Sequence, residues 1–221
     1  MYSILLFFIS LFCFSGSLNG QASVNELVQQ WKDSTQEEPT RLKALQELSK
    51  YYLYLKPDSS LFYANQIIQY PDSNRAKNYQ SIAHHIKGIA FANLGKNEQS
   101  IAQFQRALRI AYSKKDTLQV VNSLTGIGVL KKNEGKLSAA LDKHFEAFKF
   151  ALKSPQKYRR QKASCLVNIG NIFMDISDMP RAKEYFEKAL LLCDDNSPKN
   201  LLASIHNNLG LIERELNRLR P

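Results

Sequence analysis

At 221 residues the chain has room for one domain or two small ones. Charged residues at 23% and hydrophobic ones at 44% exclude a disordered chain and one that lies mostly in a membrane, and only 9 Gly and 7 Pro disfavour an all-β fold. The net charge of +10 favours acidic partners or anionic surfaces.

In chain order, the first element is an almost unbroken apolar run from Ile4 to Phe14, followed by small and polar residues including Ser15, Gly16, Ser17 and Asn19. The run is too short to span a bilayer and suits the apolar core of a secretory signal peptide. Small residues at Gly20 and Ala22 predict cleavage after Ala22 or after Gly20. Residues 1–22 are therefore expected to be a signal peptide and the remainder to be exported, periplasmic or otherwise extracytoplasmic. The absence of Lys and Arg ahead of the run departs from the usual signal, and Phe12 before Cys13 argues against a lipoprotein signal. Val24 to Trp31 predicts a leading helix, with Pro39 closing a link over 23–39.

From about residue 40 the pattern recurs. Gly88, Gly128, Gly170 and Gly210 stand 40, 42 and 40 residues apart, and 40 residues before Gly88 stands Leu48. Twelve residues after each anchor comes a small residue: Ser60, Ser100, Ala140 and Ala182. Four further on is a core slot with Ala64, Phe104, His144 and Phe186, and three beyond that come Ile67, Ala107, Ala147 and Ala189. Bend signals separate the halves: Lys56-Pro57-Asp58, Gly95-Lys96-Asn97, Glu134-Gly135-Lys136 and Ser177-Asp178. The periodicity predicts antiparallel helix pairs over about 41–74, 81–115, 121–154 and 163–196, and a final helix over 201–219. Glycine costs about 1 kcal/mol in a helix interior, so its recurrence here predicts a close approach between the two helices of a pair. Two readings of the final helix stand: it caps the stack with polar residues outward, or the chain is a truncated piece of a longer protein.

The slots resemble the tetratricopeptide repeat (TPR) family, most strongly in Asn168-Ile-Gly-Asn-Ile-Phe173 followed by Met179-Pro-Arg-Ala182-Lys-Glu-Tyr-Phe186-Glu-Lys-Ala189-Leu190. The resemblance covers about Thr40 to Leu219. The period is that of a long, about 40-residue variant, and Lys131 and Glu213 replace the aromatic usual after the glycine. A HEAT-like array shares the period, but small and Ala residues at fixed offsets after Gly favour TPR. The resemblance implies an all-α, right-handed solenoid of antiparallel helix pairs with a concave binding face. It implies a groove lined by His85, Ile89 and Asn93, by Asn122, Thr125, Val129 and Asn133, by Val167, Asn171 and Met174, and by Asn207, Leu211 and Arg214. Asparagine offers donor and acceptor together and so suits the backbone of an extended peptide. Asn171 and Asn208 sit in slots like those of the dicarboxylate clamp of chaperone-binding TPRs, but Val167 stands where that clamp needs Lys.

Little else suggests chemistry. The four histidines are dispersed, and no metal site, cofactor or catalytic cluster is expected; the reading is of a non-enzyme. Lys153, Lys157, Arg159, Arg160 and Lys162 form a basic run, read as a solvated loop or as an anion contact through Lys157, Arg159, Arg160 and Lys162. Nucleic acid is set aside because the signal directs the chain elsewhere and only Tyr158 offers stacking. Cys165 and Cys193 fall at neighbouring helix ends, which leaves a disulfide and two separate thiols both open. The expected function is a non-catalytic protein- or peptide-binding scaffold outside the cytoplasm. The alternative is a sensory ectodomain of a bacterial signalling protein, a kinase, cyclase or DNA-binding regulator.

Overall fold

The computed structural model describes residues 23–71, 74–154 and 157–218. The segment 1–22, read above as a signal peptide, lies outside the described residues, as does Leu219. Among the described residues there are ten helices: α1 Val24–Lys32, α2 Glu38–Tyr52, α3 Pro57–Ile68, α4 Asn74–Asn93, α5 Asn97–Ser113, α6 Thr117–Asn133, α7 Leu137–Leu152, α8 Arg159–Asp175, α9 Met179–Leu191 and α10 Lys199–Arg218. They form an all-α solenoid of helix pairs, α2/α3, α4/α5, α6/α7 and α8/α9, with α1 packed ahead of α2 and α10 against α9.

Local sequence explains where the helices start and stop. Ser23 and Glu26 make a reciprocal capping box on α1. Asp116 and Asp178 accept from the amides of Gln119 and Arg181 at the starts of α6 and α9. The turns inside three pairs share one geometry. Gly95, Gly135 and Ser177 have φ of 71, 74 and 61°. The amide after each reaches back to Phe91, Lys131 and Phe173 at 2.8, 2.9 and 2.8 Å, which ends the first helix in a Schellman cap. Glycine suits that left-handed conformation, and Ser177 adopts it at a cost.

The anchor glycines inside the helices have a specific reason. A Cβ at Gly88 would lie 2.6 Å from Phe104 Cε1, one at Gly128 2.7 Å from His144 Cε1, and one at Gly170 3.0 Å from Phe186 Cζ. Each glycine thus makes room for the ring that its partner helix carries at the core slot. The small residue before the ring brings the backbones together: Ser100 Oγ donates to the Gly88 carbonyl at 2.6 Å. Phe104 is held on a second side, because a Cβ at Gly126 in α6 would stand 2.6 Å from its Cζ.

The first unit corrects the sequence reading. Its anchor is Ser49 rather than Leu48: Ser60 Oγ donates to the Ser49 carbonyl at 2.7 Å, and Ser49 is fully buried. The facing core slot is the small Ala64, so the volume that Ser49 adds is removed across the interface. Leu48 is an ordinary core residue at 0% exposure.

First helices of successive units touch one another, α2 with α4, α4 with α6 and α6 with α8, whereas among the described residues no comparable contacts join the second helices. The stack therefore bends toward its first helices, whose inner line is the concave face. On α10 the outer face differs from its predecessor. Ala163, Leu166, Val167, Gly170 and Phe173 of α8 are buried, while Ala203, His206, Asn207, Gly210 and Glu213 at the matching places of α10 are exposed.

Candidate functional site

The concave line is built from one stripe of α4, α6, α8 and α10. At its N-terminal part His85 is packed against Phe104, ring centroids 5.3 Å apart. Its Nδ1 is buried without a hydrogen-bond partner, and burial lowers its pKa to about 4. Ile89 is half-buried against the same core, and Asn93, though exposed, donates from Nδ2 to the Leu53 carbonyl at 3.1 Å. Asn93 therefore ties its unit to the first one, whereas His85 packs inside its own helix pair.

In α6, Asn122 and Thr125 are half-buried and Val129 and Asn133 exposed. The Thr125 hydroxyl lies 3.8 Å from Cys165 Sγ on α8, and Lys132 pairs with Asp175 on α8 at 3.1 Å. Val167 corrects the expectation for this stripe. It is only 7% exposed and belongs to the core between α8 and its neighbours, so it cannot line a groove. Asn171 is half-buried and accepts at Oδ1 from Asn208 Nδ2 at 3.0 Å, a bond that joins α8 to α10. Met174 is half-buried in the same cluster. Asn207 and Arg214 are exposed and Leu211 half-buried.

Two kinds of asparagine therefore occur. Asn93, Asn171 and Asn208 spend their amides on neighbouring units, whereas Asn133 and Asn207 keep theirs open among the described residues. Residue type and slot could not separate them, because what differs is the polar group that the adjacent helix happens to offer.

The basic run also needs correction as a contact face. Lys162 is 3% exposed, turned inward from the first turn of α8. Arg159 donates from Nε to the Leu192 carbonyl at 3.2 Å and lies 3.8 Å from Asp194 Oδ2, so it closes the end of α9. Lys157, Arg159 and Arg160 are exposed, so only Lys162 leaves the face. Helix phase, not the density of cations along the chain, decides which of these groups meet solvent.

Cys165 and Cys193 are free thiols. Cys165 is fully buried, and burial pushes its pKa up to about 11. Cys193 is half-buried and its Sγ donates to the Ala189 carbonyl at 3.4 Å. Among the described residues no three His, Cys, Asp or Glu side chains converge as metal ligands, and no helix is long and apolar enough to cross a membrane.

Comparison with known proteins accords with this geometry. Residues 82–114 and 163–196 match a family model described as tetratricopeptide repeat. No curated protein matches the sequence. Among solved structures the chain is similar to aspartyl phosphate phosphatase F from Bacillus subtilis, with a TM-score of 0.73 and 18% identity over 88% of this chain and 54% of that one. It is also similar to the apo form of RapI, with a TM-score of 0.67 and 17% identity over 88% of this chain and 57% of that one. A third likeness is to the TPR-like repeats of a putative kinesin light chain from Podosopora anserina, with a TM-score of 0.61 and 13% identity over 83% and 90%. The chain thus spans just over half the length of the first two. The two matched segments are tetratricopeptide repeats, and the helix pairs around them share their architecture.

Proposed function

We propose that the chain is a non-catalytic scaffold that holds an extended protein or peptide segment along the concave line of its first helices, and that it does so outside the cytoplasm. The observation that carries the groove is the open amide of Asn133 on the concave stripe of α6, with the exposed Asn207 at the uncovered face of α10 extending that polar line to the C-terminal end. Each offers a donor and an acceptor to a peptide backbone, and Val129 and Leu211 supply apolar contact beside them. The extracytoplasmic part rests on the sequence alone, on the apolar run from Ile4 to Phe14 and the small residues that follow. The likeness to a phosphatase is one of fold at 18% identity and brings no active site with it.

The experiment is peptide selection against the purified chain, repeated with Asn133→Ala/Asn207→Ala. Both positions are exposed, so helicity should be unchanged. A selected peptide that binds at least tenfold more weakly to the double variant supports the groove; equal binding to both removes it. Export is tested separately by fusing residues 1–40 to alkaline phosphatase, which folds only in an oxidising compartment. An inactive, retained fusion would sink the localisation and leave the groove standing.

A further inference from the structure

The links from α5 to α6 and from α7 to α8 lie on one edge of the stack, where the ends of α5 and α7 meet. Tyr112, in the last turn of α5, sets its ring against Phe150 of α7, centroids 5.6 Å apart. Its hydroxyl donates to Glu146 Oε1 at 3.2 Å. Lys153, which ends α7, lies over the Phe150 ring with Nζ 4.0 Å from the centroid. Phe150 and Tyr158, the residue before α8, pack on one buried cluster with Ala111, Ala151 and Cys165. These contacts join the end of α5, the end of α7 and the start of α8 into one surface.

Its apolar exposure is repeated. Tyr112 and Leu152 each stand eight residues after the core slot of their unit, and they are 41% and 47% exposed. In the next unit the same place holds Asp194. Its charge is one-sided. Lys114, Lys115, Lys149, Lys153 and Lys157 are exposed there. The acids near them are engaged: Glu146 with Lys143 at 2.7 Å and with the Tyr112 hydroxyl, and Asp116 with the Gln119 amide as the cap of α6. The link after α9 instead carries exposed Asp194 and Asp195, and the link after α3 has no Lys or Arg. The helix dipole favours lysine at every C-terminus. It therefore does not account for lysines concentrated at two adjacent ends, nor for the apolar side chains beside them.

We propose that this edge docks on an anionic lipid bilayer, with Tyr112 and Leu152 entering the interface and the lysines around them meeting headgroup phosphates. Binding at a bilayer surface gains from buried apolar area and from cation attraction together, and tyrosine suits the boundary between the two. A nucleic acid fits less well, because Lys153 covers the Phe150 ring and Tyr158 is half-buried, which leaves few ring faces for bases. The edge is formed by helix ends and links, so the proposal does not depend on the concave line or on the function proposed for it.

The test is flotation of the full chain with vesicles of phosphatidylcholine alone and of phosphatidylcholine with about one-third phosphatidylglycerol, at low salt where surface attraction is least screened. The apolar run from Ile4 to Phe14 is indifferent to headgroup charge, so the ratio between the two compositions reports the edge. The proposal expects partition at least tenfold stronger onto the anionic vesicles. Lys149→Gln/Lys153→Gln should lower that ratio at least fivefold, and Tyr112→Ser/Leu152→Ser at least threefold, with far-UV circular dichroism unchanged in both. Lys96→Gln/Lys136→Gln removes the same charge from exposed residues at the turns inside the pairs, on the opposite edge, and should change the ratio less than twofold. An equal loss in that control would assign the binding to the net charge of +10 and overturn the edge. Equal partition onto the two compositions, or a ratio untouched by Tyr112→Ser/Leu152→Ser, would also overturn it. Displacement of the chain from the vesicles by poly-aspartate at equal anionic charge would reassign the surface to an acidic protein and overturn the lipid.

Discussion

Alanine at position 88 and alanine at position 210 are one chemical change in one repeat slot, and the structure gives them opposite signs. A methyl on Gly88 would sit 2.6 Å from Phe104 Cε1 and 2.7 Å from its Cδ1. The ring cannot retreat, since Gly126 lies so close on its other side that a Cβ there too would come within 2.6 Å of it. Overpacking costs about 1–3 kcal/mol, and a rigid ring gripped from two sides belongs near the top of that range. Replacing Gly by Ala in a helix returns about 0.5–1 kcal/mol, so Gly88→Ala should lose about 1–2 kcal/mol net. A methyl on Gly210 meets nothing within 4 Å. Gly210→Ala then keeps the propensity gain alone, about 0.5–1 kcal/mol. In a chain of this length 1 kcal/mol moves the melting midpoint by about 2–4 °C. Far-UV circular dichroism melts of the two variants should therefore shift in opposite directions. Midpoints that move together, or a Gly88→Ala variant more stable than the parent, would refute the account of the glycines.

Other consequences are as direct. His144 is fully buried with neither ring nitrogen hydrogen-bonded, in the slot where neighbouring units carry Phe; His144→Phe should raise stability by about 1–3 kcal/mol in urea denaturation, and a loss would show an unseen need for the imidazole. Burial lowers the pKa of His85 and His144 from 6.5 to about 4. The unfolded chain thus takes up protons in that window that the folded chain refuses, and stability should be full above pH 6.5 and fall toward pH 4. Denaturation at intervals across the window should show this slope, reduced in His144→Phe; an unchanged slope in the variant contradicts the assignment. Ser177→Gly relieves a left-handed backbone and should gain about 0.5–1 kcal/mol, which a melt lower than the parent's would rule out. A thiol reagent at pH 8 should label Cys193 in the native chain and Cys165 only after unfolding, so native labelling of Cys165 would contradict its burial.

The solenoid was legible because its cause is periodic. Small residues, rings and bends recur at near-constant offsets, and helix-pair packing needs that recurrence. The register slipped by one in the first unit because a uniform spacing of 40 led to Leu48, whereas packing uses Ser49 opposite the small Ala64. The groove was legible only as a stripe. Helix phase places Asn171 and Asn133 alike, and nothing in either residue says that Asn171 meets Asn208 across to α10 while Asn133 meets no such partner among the described residues. Val167 and Lys162 were misjudged for the complementary reason: burial depends on what the next helix covers, and the local sequence does not carry that.

Phe104 also sets how strain spreads along the array. Its ring belongs to the second unit, yet it is seated in glycine hollows of both α4 and α6, so separating those helices means extracting one ring from two sockets. The rings of His144 and Phe186 each occupy one such hollow among the described glycines. A pull or twist on the two ends should therefore concentrate at the later joints, with α4, α5 and α6 moving as a stiff block. Elasticity in this chain is uneven by design of its glycines, and a ligand that bridges α6 to α10 would clamp its softer half.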